Sequence, residues 1–171
     1  MLGLKHNVNL LVDYDPAWEG EFVREQRRIS NALGAIARSI EHYGSTAIRG
    51  MKAKPILDIL IGVMPLADWE KCRESLLQLG YDYAANAGVP GHHIFGRGKD
   101  QTERTHLVHV VEYMGESWCS NLAFRDALRR DPLLRDAYVA EKQQAIARSP
   151  ASRTEYNTLK QTFIDSVKAS L

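Results

Sequence analysis

Residues 41–63, EHYGSTAIRGMKAKPILDILIGV, carry side chains whose types and spacing suit phosphate and metal chemistry. Glycine at position 44 lets the backbone approach an anion closely, and the hydroxyls of Ser45 and Thr46 can donate to phosphate oxygens together with the neighbouring amides. Asp58 is the single charge in the run ILDILIGV and offers a hard oxygen for Mg²⁺ bridging the same phosphates. Lys54 is close enough in sequence to neutralise phosphate charge, and His42, two residues before the glycine, is placed to orient the turn or contact the phosphate. An acid inside an apolar run needs partners once buried, because an unpaired buried carboxylate is costly. That cost separates Asp58 from an ordinary strand-end acid.

Further ligands must come from residues 105–112, THLVHVVE. His106 and His109 are three apart, so a regular strand sends them to opposite faces. Two sets follow: Asp58 with His109, or Asp58 with His106 and Glu112. A carboxylate with imidazoles would suit zinc, iron or nickel better than magnesium, and the chemistry would then be metal-dependent hydrolysis. From Tyr81 to Glu112 the pattern is strand-like, and the pair His92-His93 falls in its glycine-rich segment 88–99, which reads as an exposed hairpin or flexible loop in a region made basic by Arg97, Lys99 and Arg104.

The elements that must position these groups can be read from periodicity. Asp15-Pro16 starts a helix whose apolar stripe is Trp18, Phe22, Ile29, Leu33 and Ile36. Residues 39–43 read as a short extended segment, and 56–63 as a strand buried on both faces. A helix with Trp69, Cys72, Leu76 and Leu79 on one side stops at Gly80. After the 105–112 strand the chain is helical. It restarts at Asp131-Pro132, ends a helix at Ser149-Pro150, and opens the last helix on the capping box Ser152-x-x-Glu155. Arg125 and Asp126, adjacent on their helix, are not expected to pair with each other. The order predicts an α+β fold, a small mixed sheet with helices on one side followed by a C-terminal helical bundle. The boundary falls between a core of residues 1–115 and a helical region of 116–171 packed on it as one unit.

With 171 residues, a net charge of +1 and 44% apolar content, the chain has the composition of a globular domain. Near-neutrality removes any global reason for nucleic-acid binding, although the basic segment leaves it open, and there is equally no polybasic call to a membrane. The first residues lack a signal-peptide pattern and no stretch is long and apolar enough to span a bilayer, so a cytoplasmic protein acting on a small molecule or nucleotide is expected. Cys72 and Cys119 are isolated and indicate neither a disulfide framework nor a thiolate metal site.

The run GSTAIRGMKAKPILDILIGV, preceded by Tyr14-Asp15-Pro16-x-Trp18, resembles the GrpB-like family, grouped with the nucleotidyltransferase superfamily. The resemblance continues through Arg104-Thr105-His106-Leu107-Val108-His109 and Ala123-Phe124-Arg125-Asp126. It reaches Tyr138, Lys142, Tyr156, Lys160 and Phe163-Ile164, nearly the whole chain in order. It implies a nucleotidyltransferase-like core in which the Gly-Ser loop holds the triphosphate of an NTP and carboxylates on adjacent strands hold two metal ions. Transfer of a nucleoside monophosphate would be in line, driven by positioning and charge neutralisation. It also implies that Lys142 and Lys160 point towards phosphates. One departure stands out. The superfamily has acids at alternate positions of its second strand, on one face, and here the alternation reads Asp58 then Leu60.

The expectation is therefore a Mg²⁺-dependent nucleotidyltransferase with an unknown acceptor. Asp58, His109 and Glu112 would act in catalysis, and His42, Gly44, Ser45, Thr46, Lys54, Arg104, Lys142 and Lys160 would hold phosphates. Asp58, His109 and His106 would bind metal. The rival is a nucleotide- or phosphometabolite-binding protein that kept the loop and lost turnover, which the Asp58-x-Leu60 departure favours.

Overall fold

The apolar run ending at Gly62-Val63 lies inside a mixed sheet, in a computed structural model that describes residues 1–100 and 102–171. In chain order the strands are β1 (Leu4–Lys5), β2 (Ser39–Tyr43), β3 (Leu57–Val63), β4 (Asp82–Tyr83), β5 (His93–Arg97), β6 (Glu103–Arg104) and β7 (His106–Glu112). The helices are α1 (Ala17–Leu33), α2 (Trp69–Gln78), α3 (Glu116–Arg130), α4 (Pro132–Arg148) and α5 (Arg153–Lys168). Five strands form the main sheet in the order β2-β3-β7-β5-β4, and β1 pairs with β6 in a separate ribbon. Only β3 and β7 run parallel within the main sheet; the other neighbours are antiparallel.

Strand parity divides the sheet into two faces. Ile59, Ile61 and Val63 of β3, with Phe95, Val108 and Val110, pack on Ile29 and Leu33 of α1 and on Cys72 and Leu76 of α2. The other face is covered too. Leu60 and Val111 pack against Trp118 of α3, and Gly62 has no room for a side chain because a Cβ there would lie 2.8 Å from Tyr113 and 3.0 Å from Trp118. Helices thus cover both faces, where the helix pattern alone suggested one. Trp118 turns α3 from a bundle member into a lid over the sheet. A further core joins Ile48 and Met51 to Phe124 and Leu128 of α3, Tyr138 of α4 and Val167 of α5, so the helical region closes on the loop that follows β2.

Local signals appear where the sequence places them. The Asp15 carboxylate accepts the Ala17 amide at 2.9 Å, Asp131 accepts the amides of Leu133 and Leu134, and Ser152 accepts that of Glu155. The segment 88–99 departs from expectation. Its second half is β5, an inner strand with buried Ile94, Phe95 and Gly96. Its glycine serves packing, since a Cβ on Gly96 would lie 2.7 Å from the Arg104 guanidinium that crosses it. His93 accordingly stacks on Trp69 at 3.9 Å, and neither His92 nor His93 is exposed.

Candidate functional site

The register places Asp58 beside Tyr43 of β2 and Leu107 of β7, and Leu60 beside His109. Asp58 and His109 therefore share the face covered by α3–α5. Gly44, directly after β2, has φ +71°, and a Cβ there would lie 2.5 Å from Asp58 Oδ2. Only glycine admits both that backbone conformation and that approach. The Asp58 side chain is 30% exposed and accepts no hydrogen bond among the described residues; its nearest basic atom is His109 Nε2, 3.8 Å from Oδ1. The other ring nitrogen, His109 Nδ1, lies 3.2 Å from His92 Nδ1, and Tyr43 meets the His109 ring edge-on. Burial and the neighbouring His109 hold His92 down to about 4, so its ring is neutral at pH 7.

Opposite this carboxylate the helical region brings in cations. Lys142, 1% exposed, donates to Ser45 Oγ at 3.0 Å and to the Lys52 carbonyl at 2.7 Å. Lys54 donates to Asn9 Oδ1 at 2.8 Å and sits 3.7 Å above the Tyr156 ring, and Lys160 lies 5.5 Å from the same ring. Arg153 adds a fourth positive charge that both Lys54 and Lys160 feel. Among the described residues none of these four forms a salt bridge. Burial first, and the like charge of Lys160 second, push Lys54 and Lys142 down to about 7. Burial lowers Lys160 as well, while the Asp58 charge pulls Lys54 and Lys160 the other way. Asp58, Gly44, Ser45, Lys54, Lys142 and Lys160 thus converge, and they come from three separate stretches of chain.

Other expected site residues lie elsewhere. His106 is on the opposite face, between Thr105 Oγ1 at 2.8 Å, Glu21 Oε1 at 3.2 Å and Arg97 NH2 at 3.2 Å, and it does not meet Asp58. Burial, then Arg97, drives it down to about 4, so it touches Glu21 as a neutral ring. Glu21, Glu25 and His106 bring ligand atoms within 4.8 Å of one another, but Arg97, 3.0 Å from Glu25, already supplies the cation there. Glu112 pairs with Val63 at the far end of β3 from Asp58, so it is not part of the same site. Arg104 is engaged by Asp82, with NH2 2.7 Å from Oδ2. His42 and Thr46 are buried against each other at 2.9 Å, with Phe22 stacked on the imidazole. Burial lowers His42 to about 4, and the pair props the turn from beneath instead of facing an anion.

The helical region also grips the loop through its carbonyls, which no sequence signal marked. Arg125 donates to the His42 carbonyl at 3.0 Å and to Glu41 at 2.8 Å, and Arg129 donates twice to the Ala47 carbonyl. Arg125 Nε also donates to the adjacent Asp126 at 2.8 Å, so these neighbours on one helix do pair, against the expectation from their spacing. Glu25, Tyr81 and Arg97, which form the buried network around His106, were likewise invisible in sequence, since 56 and 72 residues separate Glu25 from its two partners.

With this geometry in hand, comparison with known proteins is informative. The family model described as "GrpB protein" matches residues 9–170. The chain is 34% identical over 170 residues to the glutamate-rich protein GrpB of Alkalihalophilus pseudofirmus, covering 98% of each chain. A crystal structure of the conserved protein GrpB from Enterococcus faecalis superposes with a TM-score of 0.82 at 28% identity, covering 94% of this chain and 96% of that one. A mutant Cid1 poly(U) polymerase bound to MgATP shares the fold alone, with a TM-score of 0.56 at 11% identity over 86% of this chain and 50% of that chain. No helix of the described residues is long and apolar enough to cross a membrane.

Proposed function

The chain belongs to the GrpB protein family, with a nucleotidyltransferase-like fold, and we propose that it is a metal-dependent nucleotidyltransferase that moves a nucleoside monophosphate from an NTP to an acceptor hydroxyl. One observation carries the reading. A half-buried carboxylate without hydrogen-bond donors lies against a side-chain-free glycine, and unpaired lysines stand across the turn. The hard oxygen of Asp58 suits a single divalent ion such as Mg²⁺, with His109 alongside as a base and not as a ligand. Such an ion would neutralise charge on the phosphates.

The chain's own groups would do the rest. Ser45 and the first amides of its turn, which have no intrahelical acceptors, donate to phosphate oxygens. Lys54, Lys142 and Lys160 balance the charge of the departing pyrophosphate, which favours the transition state over the ground state. His109 is oriented through Nδ1 by His92, presents Nε2 beside Asp58, and is placed to take the acceptor's proton.

A second reading has its own support. Leu60, where the superfamily pattern calls for a second acid, is 0% exposed beneath Trp118. A site with one carboxylate binds nucleotide without the second metal, and the protein would then hold its ligand without consuming it. Thermal melts of wild type and Asp58→Ala with NTPs, with and without Mg²⁺, test both. Stabilisation that needs Mg²⁺ and vanishes in Asp58→Ala is expected by mass action, and pyrophosphate release on adding acceptors then distinguishes transfer from binding. No nucleotide effect on either protein would sink both readings.

A further inference from the structure

Ser45 and Lys142 are joined more closely than phosphate binding requires. Lys142 Nζ is fully enclosed, and its two oxygen neighbours are Ser45 Oγ at 3.0 Å and the Lys52 carbonyl at 2.7 Å. The Tyr138 ring, one helical turn back on α4, lies 4.8 Å away, and its phenol is also beside Ser45. As an ammonium, Lys142 places its three hydrogens on the Ser45 hydroxyl, the Lys52 carbonyl and the face of the Tyr138 ring. Held near 7, the same nitrogen is also present as a neutral amine. It can give one hydrogen to the Lys52 carbonyl and turn its lone pair to the Ser45 hydroxyl, which then donates. Lys160 of α5 and Lys54 of the loop before β3 add like charge from the two neighbouring elements, and Tyr138 and Tyr156 are the phenols nearby. Asp58, on β3, is the carboxylate whose charge reaches this cluster. Burial and Lys160 together hold Lys142 near 7.

Ser45 itself stands where a nucleophile can be approached. It follows the positive-φ Gly44 at the end of β2, starts a short helical turn, and is half-exposed beside the enclosed lysine. We propose that Ser45 is a nucleophile towards phosphorus with Lys142 as its base, so that the turn can carry a phosphoryl group covalently. The proposal rests on the reading that this turn receives a phosphate chain. The Ser45 proton passes to Nζ, the Oγ–P bond forms, and the bond from that phosphorus to the next phosphate oxygen breaks. A nucleoside diphosphate leaves with the electron pair. The new ammonium is then in contact with the phosphoserine it helped to make.

The test is labelling of the full-length chain by a fluorophosphonate, without nucleotide or metal, mapped by intact and peptide mass spectrometry. The same bond forms, the P–F bond breaks and fluoride leaves. One adduct on Ser45 is expected, absent in Ser45→Ala and slowed about 100-fold in Lys142→Met. In wild type its rate should rise as Lys142 loses its proton, between about pH 6 and pH 8. This arm needs no variant to fold. No adduct on Ser45, a rate unchanged in folded Lys142→Met, or a flat pH profile would each overturn the nucleophile. Mg²⁺-dependent nucleotide stabilisation measured on the same samples separates the two ideas. Its survival with labelling lost rejects only the nucleophile, whereas loss of both rejects the phosphate reading as well.

Discussion

Two polar clusters flank β7 on opposite faces of one sheet, and they differ in how their charges are answered. Around His106, Glu25 is 1% exposed yet meets Arg28 at 2.8 Å, Arg97 at 3.0 Å and the Tyr81 hydroxyl at 2.7 Å. Each charge there has an opposite neighbour, and α1 is tied to β5 and β7. Around Asp58 four cations gather and, among the described residues, none has a carboxylate within salt-bridge distance, while the one carboxylate nearby accepts no hydrogen bond. A folded chain retains unanswered charge of one sign at a cost to its stability, and that cost is commonly offset by function. The closed cluster ties elements together, and the open one is where we propose that a ligand binds.

The contrast breaks first at Glu25. Glu25→Ala leaves Arg97, its side chain 24% exposed, beside a neutral His106, and should cost about 3 kcal/mol in denaturant melts, while any Mg²⁺-dependent nucleotide shift stays intact. A smaller effect is expected from Gly44→Ala, about 1–3 kcal/mol from the positive φ and the contact with Asp58. Here the nucleotide response should disappear along with the lost stability. A pH effect reads the same open cluster without a substitution. The unfolded chain holds protons on Lys54 and Lys142 up to about pH 10, whereas the folded chain gives them up near 7. The unfolded state therefore binds more protons above pH 7, and stability should climb by about 2 kcal/mol for each of the two lysines from pH 7 to 9. The gain ends at about pH 10, where the unfolded lysines lose their protons too, and Cys72, held up to about 11 in the fold, opposes it from about pH 9. Between about pH 6.5 and 4 stability should instead fall, because His42, His92 and His106 stay neutral in the fold while their unfolded counterparts take up protons.

Local chemistry was legible in the sequence and distant chemistry was not. Gly44, Ser45 and Asp58 stand out because a glycine turn and a lone acid in an apolar run are local patterns, and the strand parity that separates His106 from His109 is equally local. Parity alone does not say which histidine faces Asp58; that follows from the parallel pairing of β3 with β7. Lys142 reaches Ser45 across 97 residues, a distance no periodicity encodes, and the family resemblance suggested only its direction. The strand-like character of residues 81–112 was legible, but the place of β5 within it was obscured because Gly96, which looks like a turn signal, admits the Arg104 side chain. Leu60 reads as a missing acid until Trp118 is seen above it. A carboxylate at that position would be buried under an indole, so the departure and the packing of α3 are one feature.

The outer margin of β2 carries a last consequence. This strand ends the sheet, and its Ile40 and His42 carbonyls turn away from β3, where another chain's strand would otherwise find a template. The Gln26 amide takes the first at 2.9 Å and the Arg125 guanidinium takes the second. Two side chains from helices on opposite faces therefore close the border against strand addition. Arg125, which also steadies the backbone just before Gly44, doubles as a guard against self-assembly. Its loss would blunt the loop and open a seam for fibrils in the same stroke.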